Sequence, residues 1–298
     1  MTSKPLTAFL ATLFLVLLVS CSTTSTLVEQ ESSQAPQRIV SLVPAVTEML
    51  FALGAGDRVV GVSDYDTYPP EALERPRVGA LINPNLEKIF ELQPDLVITY
   101  GTQALLRDRL AVAGIRQDPF LHGPIEEMLT YVQELGRELR LEDRGLELAQ
   151  EIRSELSDIR DAAPPDNPTV FLVHSREAGT MGAFYSGGNR SFFHELIEIA
   201  GGDNIFGDVD ADSLQPSLEE VLKRQPEVII ELLPSDRGDR TRIAERLNDW
   251  QKLDTVPAVQ NGRVYILAGD YLLLIGPRLH LAARRLAEAI RDQQKPKG

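Results

Sequence analysis

The sequence predicts an α/β protein built as two similar lobes joined by one long helix, with a ligand cleft between the lobes. Three observations predict it. Short apolar runs alternate with helical patterns, a block of the first half recurs without a gap in the second, and a long amphipathic segment lies between them. The strand candidates are residues 38–43, 59–62, 96–100, 170–174, 228–232 and 263–267, each a brief apolar run bounded by turn residues. The repeat sets residues 84–98 against 216–230, every position advanced by 132. In each copy a short helix opens after Asn85 or Ser217 as N-cap and stops at Gln93-Pro94 or Gln225-Pro226. It then feeds a buried strand after Asp95 or Glu227. A looser echo sets Ala55-Gly56-Asp57 against Gly201-Gly202-Asp203. In residues 142–163, Leu148, Ile152, Leu156 and Ile159 recur at helical spacing, and Pro164-Pro165 ends the pattern. At about 1.5 Å per residue such a helix is roughly 30 Å long, the width of a small domain. The expected layout is a first lobe over 38–141, the linking helix over 142–163 and a second lobe over 164–298.

The first residues bear on compartment. Lys4 precedes an apolar stretch from Leu6 to Val19 that is shorter than the ~20 residues of a mature spanning helix, so residues 1–20 are expected to be a signal peptide. Leu18-Val19-Ser20-Cys21 resembles the bacterial lipobox, which implies that Cys21, the one cysteine of the chain, carries a lipid after cleavage. A polar run without apolar periodicity follows to Gln37, and 21–37 is expected to be a flexible tether. The implied location is periplasmic or otherwise extracytoplasmic, at a membrane through the lipid. The remainder, about 260 residues, is enough for two lobes of ordinary domain size.

A net charge of -14 argues against a nucleic-acid partner, because a phosphate backbone demands a basic stripe and the Lys and Arg residues are scattered. Enzymatic motifs fail on inspection. Gly54-Ala55-Gly56 follows a helix instead of a strand, so it is no dinucleotide fingerprint. Tyr185-Ser186-Gly187-Gly188 lacks the flanking glycines of a nucleophile elbow, and no phosphate loop or zinc-protease motif occurs. His122, His174, His194 and His280 show no paired spacing, so neither a metal ion nor a cofactor is expected. Asp64 and Asp66 suit turn chemistry, and Trp250 suits a helix-packing anchor.

The segments 38–48, 60–65 with Tyr68-Pro69-Pro70, 85–98 and Gly276-Pro277-Arg278-Leu279 together resemble periplasmic binding proteins with a helical backbone, the class that serves vitamin B12, iron-siderophore and haem importers. The resemblance covers nearly all of the chain after the tether and is strongest to the cobalamin-binding branch, through 61–65 and the Tyr68-Pro69-Pro70 turn. It implies a monomeric, non-enzymatic protein that captures a corrinoid and delivers it to the permease dimer of an ABC importer. Ferric-siderophore or haem capture is the alternative, and an extracytoplasmic enzyme or sensor reusing the fold is a more distant one. One glutamate on each lobe is implied to dock into arginine pockets of the permease, and the matching positions are Glu87 and Glu219. Tyr65, Tyr100, Phe184, Tyr185, Asp270 and Tyr271 are implied to lie near the cleft. Leu81 and Ser213 stand where the enteric vitamin B12 pattern has tryptophans, and Ala80-Leu81 occupy the stretch where a haem binder carries its tyrosine. A stiff linking helix predicts little lobe closure.

Overall fold

The computed structural model describes residues 34–163, 165–234 and 240–292. The expected signal peptide, the Cys21 anchor, the tether as far as residue 33, and Pro164 lie outside the described residues. The first half runs β1 (Ile39–Ser41), α1 (Pro44–Ala52), β2 (Val59–Val62), β3 (Gly79–Ala80), β4 (Asn83–Pro84), α2 (Leu86–Glu91), β5 (Leu96–Tyr100), α3 (Ala104–Val112), β6 (Arg116–Phe120) and α4 (Ile125–Glu138). Next comes α5 (Glu142–Asp161), the 20-residue linking helix. The second half runs β7 (Thr169–Val173), α6 (Phe192–Ile199), β8 (Asp203–Asn204), α7 (Leu218–Arg224), β9 (Val228–Leu233), α8 (Arg240–Trp250), α9 (Pro257–Gln260), β10 (Val264–Ala268) and α10 (Leu279–Arg291).

Each half holds one four-stranded parallel sheet, in the order β2-β1-β5-β6 and β8-β7-β9-β10. Strand for strand the two orders are the same, and the repeat is structural down to single residues. Gln93 and Gln225 both take positive φ, 45° and 48°, just after α2 and α7. Asp95 accepts the backbone N–H groups of Gln37 and Arg38 at 2.8 and 3.0 Å, and Glu227 accepts that of Thr169 at 2.8 Å. In both lobes, then, the acid after Gln-Pro ties the start of the central strand to its neighbour. The caps also match expectation: the Asn85 side chain accepts from the Lys88 N–H, and Ser217 with Glu220 forms a reciprocal capping box.

Four strands fell outside the sequence expectation, among them β3 and β4, a two-residue antiparallel pair. The β8 strand is two residues long, and β6 has the sequence Arg-Gln-Asp-Pro-Phe with no apolar run. As an edge strand β6 has a single paired neighbour, so a proline and polar side chains are tolerated there.

The lobes are also more tightly joined than one connecting helix implies. A single apolar core runs from the inner face of the first sheet (Ile39, Ile98) through α1, α4, α5, α6 and α10 to the second sheet (Leu172, Ile230). Smaller cores cover the outer faces, around Ile89 and Leu110 in the first half and around Trp250 and Phe171 in the second. The described residues from Pro36 onward accordingly form one compact unit. Among the described residues no helix is long and apolar enough to cross a membrane.

Candidate ligand-binding site

In open parallel sheets, ligands bind beyond the carboxyl ends of the strands. Here those ends face a pocket of about 330 Å³ lined from the first lobe by Tyr100, His122 and Gly123, and from the second by His174, Arg190, Phe192, Phe193, Asp212 and Ser213. Tyr100 is the last residue of β5, His122 follows β6, and His174 follows β7 directly. Ser191 caps α6, accepting from the Phe193 N–H at 3.3 Å, and so fixes the two phenylalanines that open the helix.

Six rings form a continuous band across the floor. Tyr100 meets His122 edge-on at 5.2 Å, His122 meets Phe192 at 6.3 Å, and Phe192 meets Phe193 at 4.1 Å. Phe193 stacks on His174 at 5.2 Å, and Tyr185 lies 6.2 Å beyond. Burial holds both imidazoles below the ordinary histidine value and raises the Tyr100 phenol, so at neutral pH the floor carries no charge. Neither ring nitrogen of His122 has a hydrogen-bond partner among the described residues. A neutral imidazole can accept an edge amide or ligate a metal atom of a bound molecule. Ile82, Leu105 and Leu121 of the first half are exposed, as is Tyr65, three residues after β2.

A second group of side chains crosses between the lobes. Arg278, at the start of α10, donates to Glu48 of α1 at 2.9 and 2.5 Å and to Asp270 at 3.0 and 3.1 Å. Asp270 also accepts from Thr67 of the first lobe at 3.0 Å, and the guanidinium lies over the Tyr68 ring at 4.0 Å. Glu48 is buried, and loss of solvation is the largest influence on its carboxyl, raising its pKa despite the arginine. The Glu195 carboxylate of α6 also accepts the Ile125 N–H at 3.1 Å, so the first turn of α4 is capped from the other lobe.

The six residues expected at the cleft therefore divide. Tyr100 lines the pocket, Tyr185 extends its aromatic floor, and Tyr65 is exposed and is not among the lining residues. Phe184 is fully buried and stacks on Trp250 at 5.5 Å in the outer core of the second lobe, so it is a packing residue. Asp270 and Tyr271 belong to the clasp around Arg278 and do not line the pocket. His122 and His174 were missed because their separation in sequence hides their meeting. The signal that finds them is that each stands just past a strand end. Asp66 makes the expected turn, accepting from the Ser63 N–H and hydroxyl at 2.8 and 2.6 Å. Glu87 and Glu219 are exposed in the first turns of the equivalent helices α2 and α7, and neither forms an ion pair among the described residues.

Residues 39–271 match the family model described as periplasmic binding protein. The chain is 30% identical over 264 residues to an uncharacterized ABC transporter substrate-binding lipoprotein, YvrC, of Bacillus subtilis, covering 86% of this chain and 80% of that one. It is equally 30% identical over 264 residues to a vitamin B12-binding protein of Vibrio cholerae, covering 87% and 91%. A solved periplasmic heme-binding protein of Roseiflexus sp. RS-1, in apo form, superimposes with a TM-score of 0.73 at 28% identity, covering 87% of this chain and 99% of that one. The chain belongs to the periplasmic binding protein family and is a binding protein, not an enzyme.

Proposed function

We propose that the protein is the extracytoplasmic capture subunit of an ABC importer, held at a membrane by a lipid on Cys21, and that its solute is a corrinoid. The observation that carries the ligand class is the uncharged aromatic floor of Tyr100, His122, Phe192, Phe193, His174 and Tyr185. A flat macrocycle gains from ring faces below it, and neutral imidazole, phenol and hydroxyl groups suit the amides of a corrin edge. The relative from Vibrio cholerae, named for vitamin B12 binding, supports the same reading. Haem is the second reading, favoured by His122, whose ring nitrogens have no hydrogen-bond partner among the described residues, and by the likeness to the Roseiflexus heme-binding protein. Glu87 and Glu219 are the proposed docking carboxylates, one on each repeat, as a two-fold permease requires.

Titration calorimetry of the purified protein against cyanocobalamin and against hemin tests the reading. The expected result is saturable one-to-one binding of the corrinoid, recovered unchanged on release. Binding of hemin with no binding of cyanocobalamin overturns it in favour of haem capture.

A further inference from the structure

Arg190 is the one arginine or lysine among the described residues lining the pocket, and it is not held ready for an anion. Its guanidinium lies 3.6 Å from Asp210 and 3.4 Å from Asp212, two carboxylates against one cation, and Asp212 itself lines the pocket. The backbone sets this arrangement. Asn189 donates to the Val209 carbonyl at 2.9 Å and Arg190 to that of Ala211 at 3.3 Å, so 188–190 runs directly against 209–211. Such closeness needs glycine at 188, because a Cβ there would lie 2.5 Å from the Val209 oxygen and 2.7 Å from the Ala211 oxygen.

We propose that Asp210 and Asp212, by holding Arg190, make the cleft select a macrocycle edged with neutral amides over one edged with carboxylates. The selectivity rests on the corrinoid reading and assigns it a mechanism. A ligand carboxylate arriving at the mouth meets a net negative group, and it gains Arg190 only by displacing an aspartate. Each ion pair alone is exposed and weak. The discrimination comes instead from the local field, which acts on a charged edge and leaves an amide edge nearly untouched.

The test compares cyanocobalamin with a cyanocobalamin derivative in which one side-chain amide is hydrolysed to the carboxylate, so the macrocycle is unchanged. The ratio of the two Kd values is measured for the wild type, for Asp210→Asn/Asp212→Asn and for Arg190→Gln, each first shown to melt cooperatively. The wild type is expected to favour the amide form by about threefold to tenfold. The double asparagine variant should bring the ratio to one or invert it, and Arg190→Gln should widen it. High salt should shrink the wild-type preference. Equal binding of both forms by the wild type, or a ratio that the asparagines leave unmoved, overturns the proposal while the corrinoid reading stands. Absence of binding by either form removes the corrinoid reading and the selectivity with it.

Discussion

His122 and His174 show what a side chain's surroundings add to its identity. Burial depresses both imidazoles from 6.5, and their unfolded counterparts protonate near the ordinary value of about 6.5. Their contribution to folding stability is therefore complete above about 6.5 and is lost as pH falls toward the folded values, because the unfolded chain then binds protons that the folded chain refuses. Buried carboxyls with raised values, such as Glu48 and Asp66, work in the opposite sense, but they are common to wild type and variant. The urea midpoint of the wild type should thus fall more between pH 7 and pH 5 than that of His122→Gln/His174→Gln. Equal falls would refute the assignment. At this scale the sequence was ambiguous for a geometric reason. Phe184 and Tyr185 are adjacent aromatic residues, and extended backbone sends neighbours to opposite sides, one onto Trp250 and one toward the cleft. Composition does not reveal which is which.

At the scale of the element, the α4–α5 pair rests on two glycines. A Cβ on Gly136 would come within 2.9 Å of the Gly145 Cα and 3.1 Å of the Leu141 carbonyl, and a Cβ on Gly145 would lie 3.2 Å from the Gly136 Cα. Replacing a glycine in a helix with alanine ordinarily gains up to about 1 kcal/mol. Here the obstacle is backbone, which must shift, and overpacking of this kind costs about 1–3 kcal/mol. Gly136→Ala is expected to be net destabilising in chemical denaturation, by up to about 2 kcal/mol. A stabilised variant would show that the helices separate without cost. The linking helix itself was legible, because its buried residues Leu148, Ile152, Leu156 and Ile159 carry the 3.6 period. By contrast β6 was not, since an edge strand needs only one backbone partner and imposes little on its side chains.

For the whole molecule, the clasp of Glu48, Arg278, Asp270 and Thr67 adds a polar joint to the shared apolar core. Arg278→Ala leaves Glu48 buried without its cation, and breaking a buried pair from one side costs about 3–5 kcal/mol. That loss should be visible in urea unfolding. Small-angle scattering should show a larger ligand-induced change in radius of gyration for the variant than for the wild type, whose joined lobes resist hinge bending. A clasp that is only decorative would leave both measurements unchanged. The proposed docking carboxylates belong to this scale too. Glu87→Ala/Glu219→Ala should keep corrinoid affinity within about twofold in calorimetry, as substitutions away from a site commonly do, and should abolish uptake in a transport assay. Loss of affinity would place those residues at the ligand instead of at a permease.

By itself the sequence determined the doubled plan, its buried strands, its caps and its linking helix, because these depend on periodicity and on contacts within a few residues. The 132-residue repeat even carried the matched acid ties of Asp95 and Glu227. Only the tertiary structure decided which side chains meet across the cleft. The joining of His122 to Phe192, Arg278 to Glu48 and Glu195 to the α4 N-terminus depends on how two separately patterned lobes are set by a common core. Local pattern dictates which face of an element is buried, and a contact between lobes depends on the relative placement of both, which no local pattern encodes.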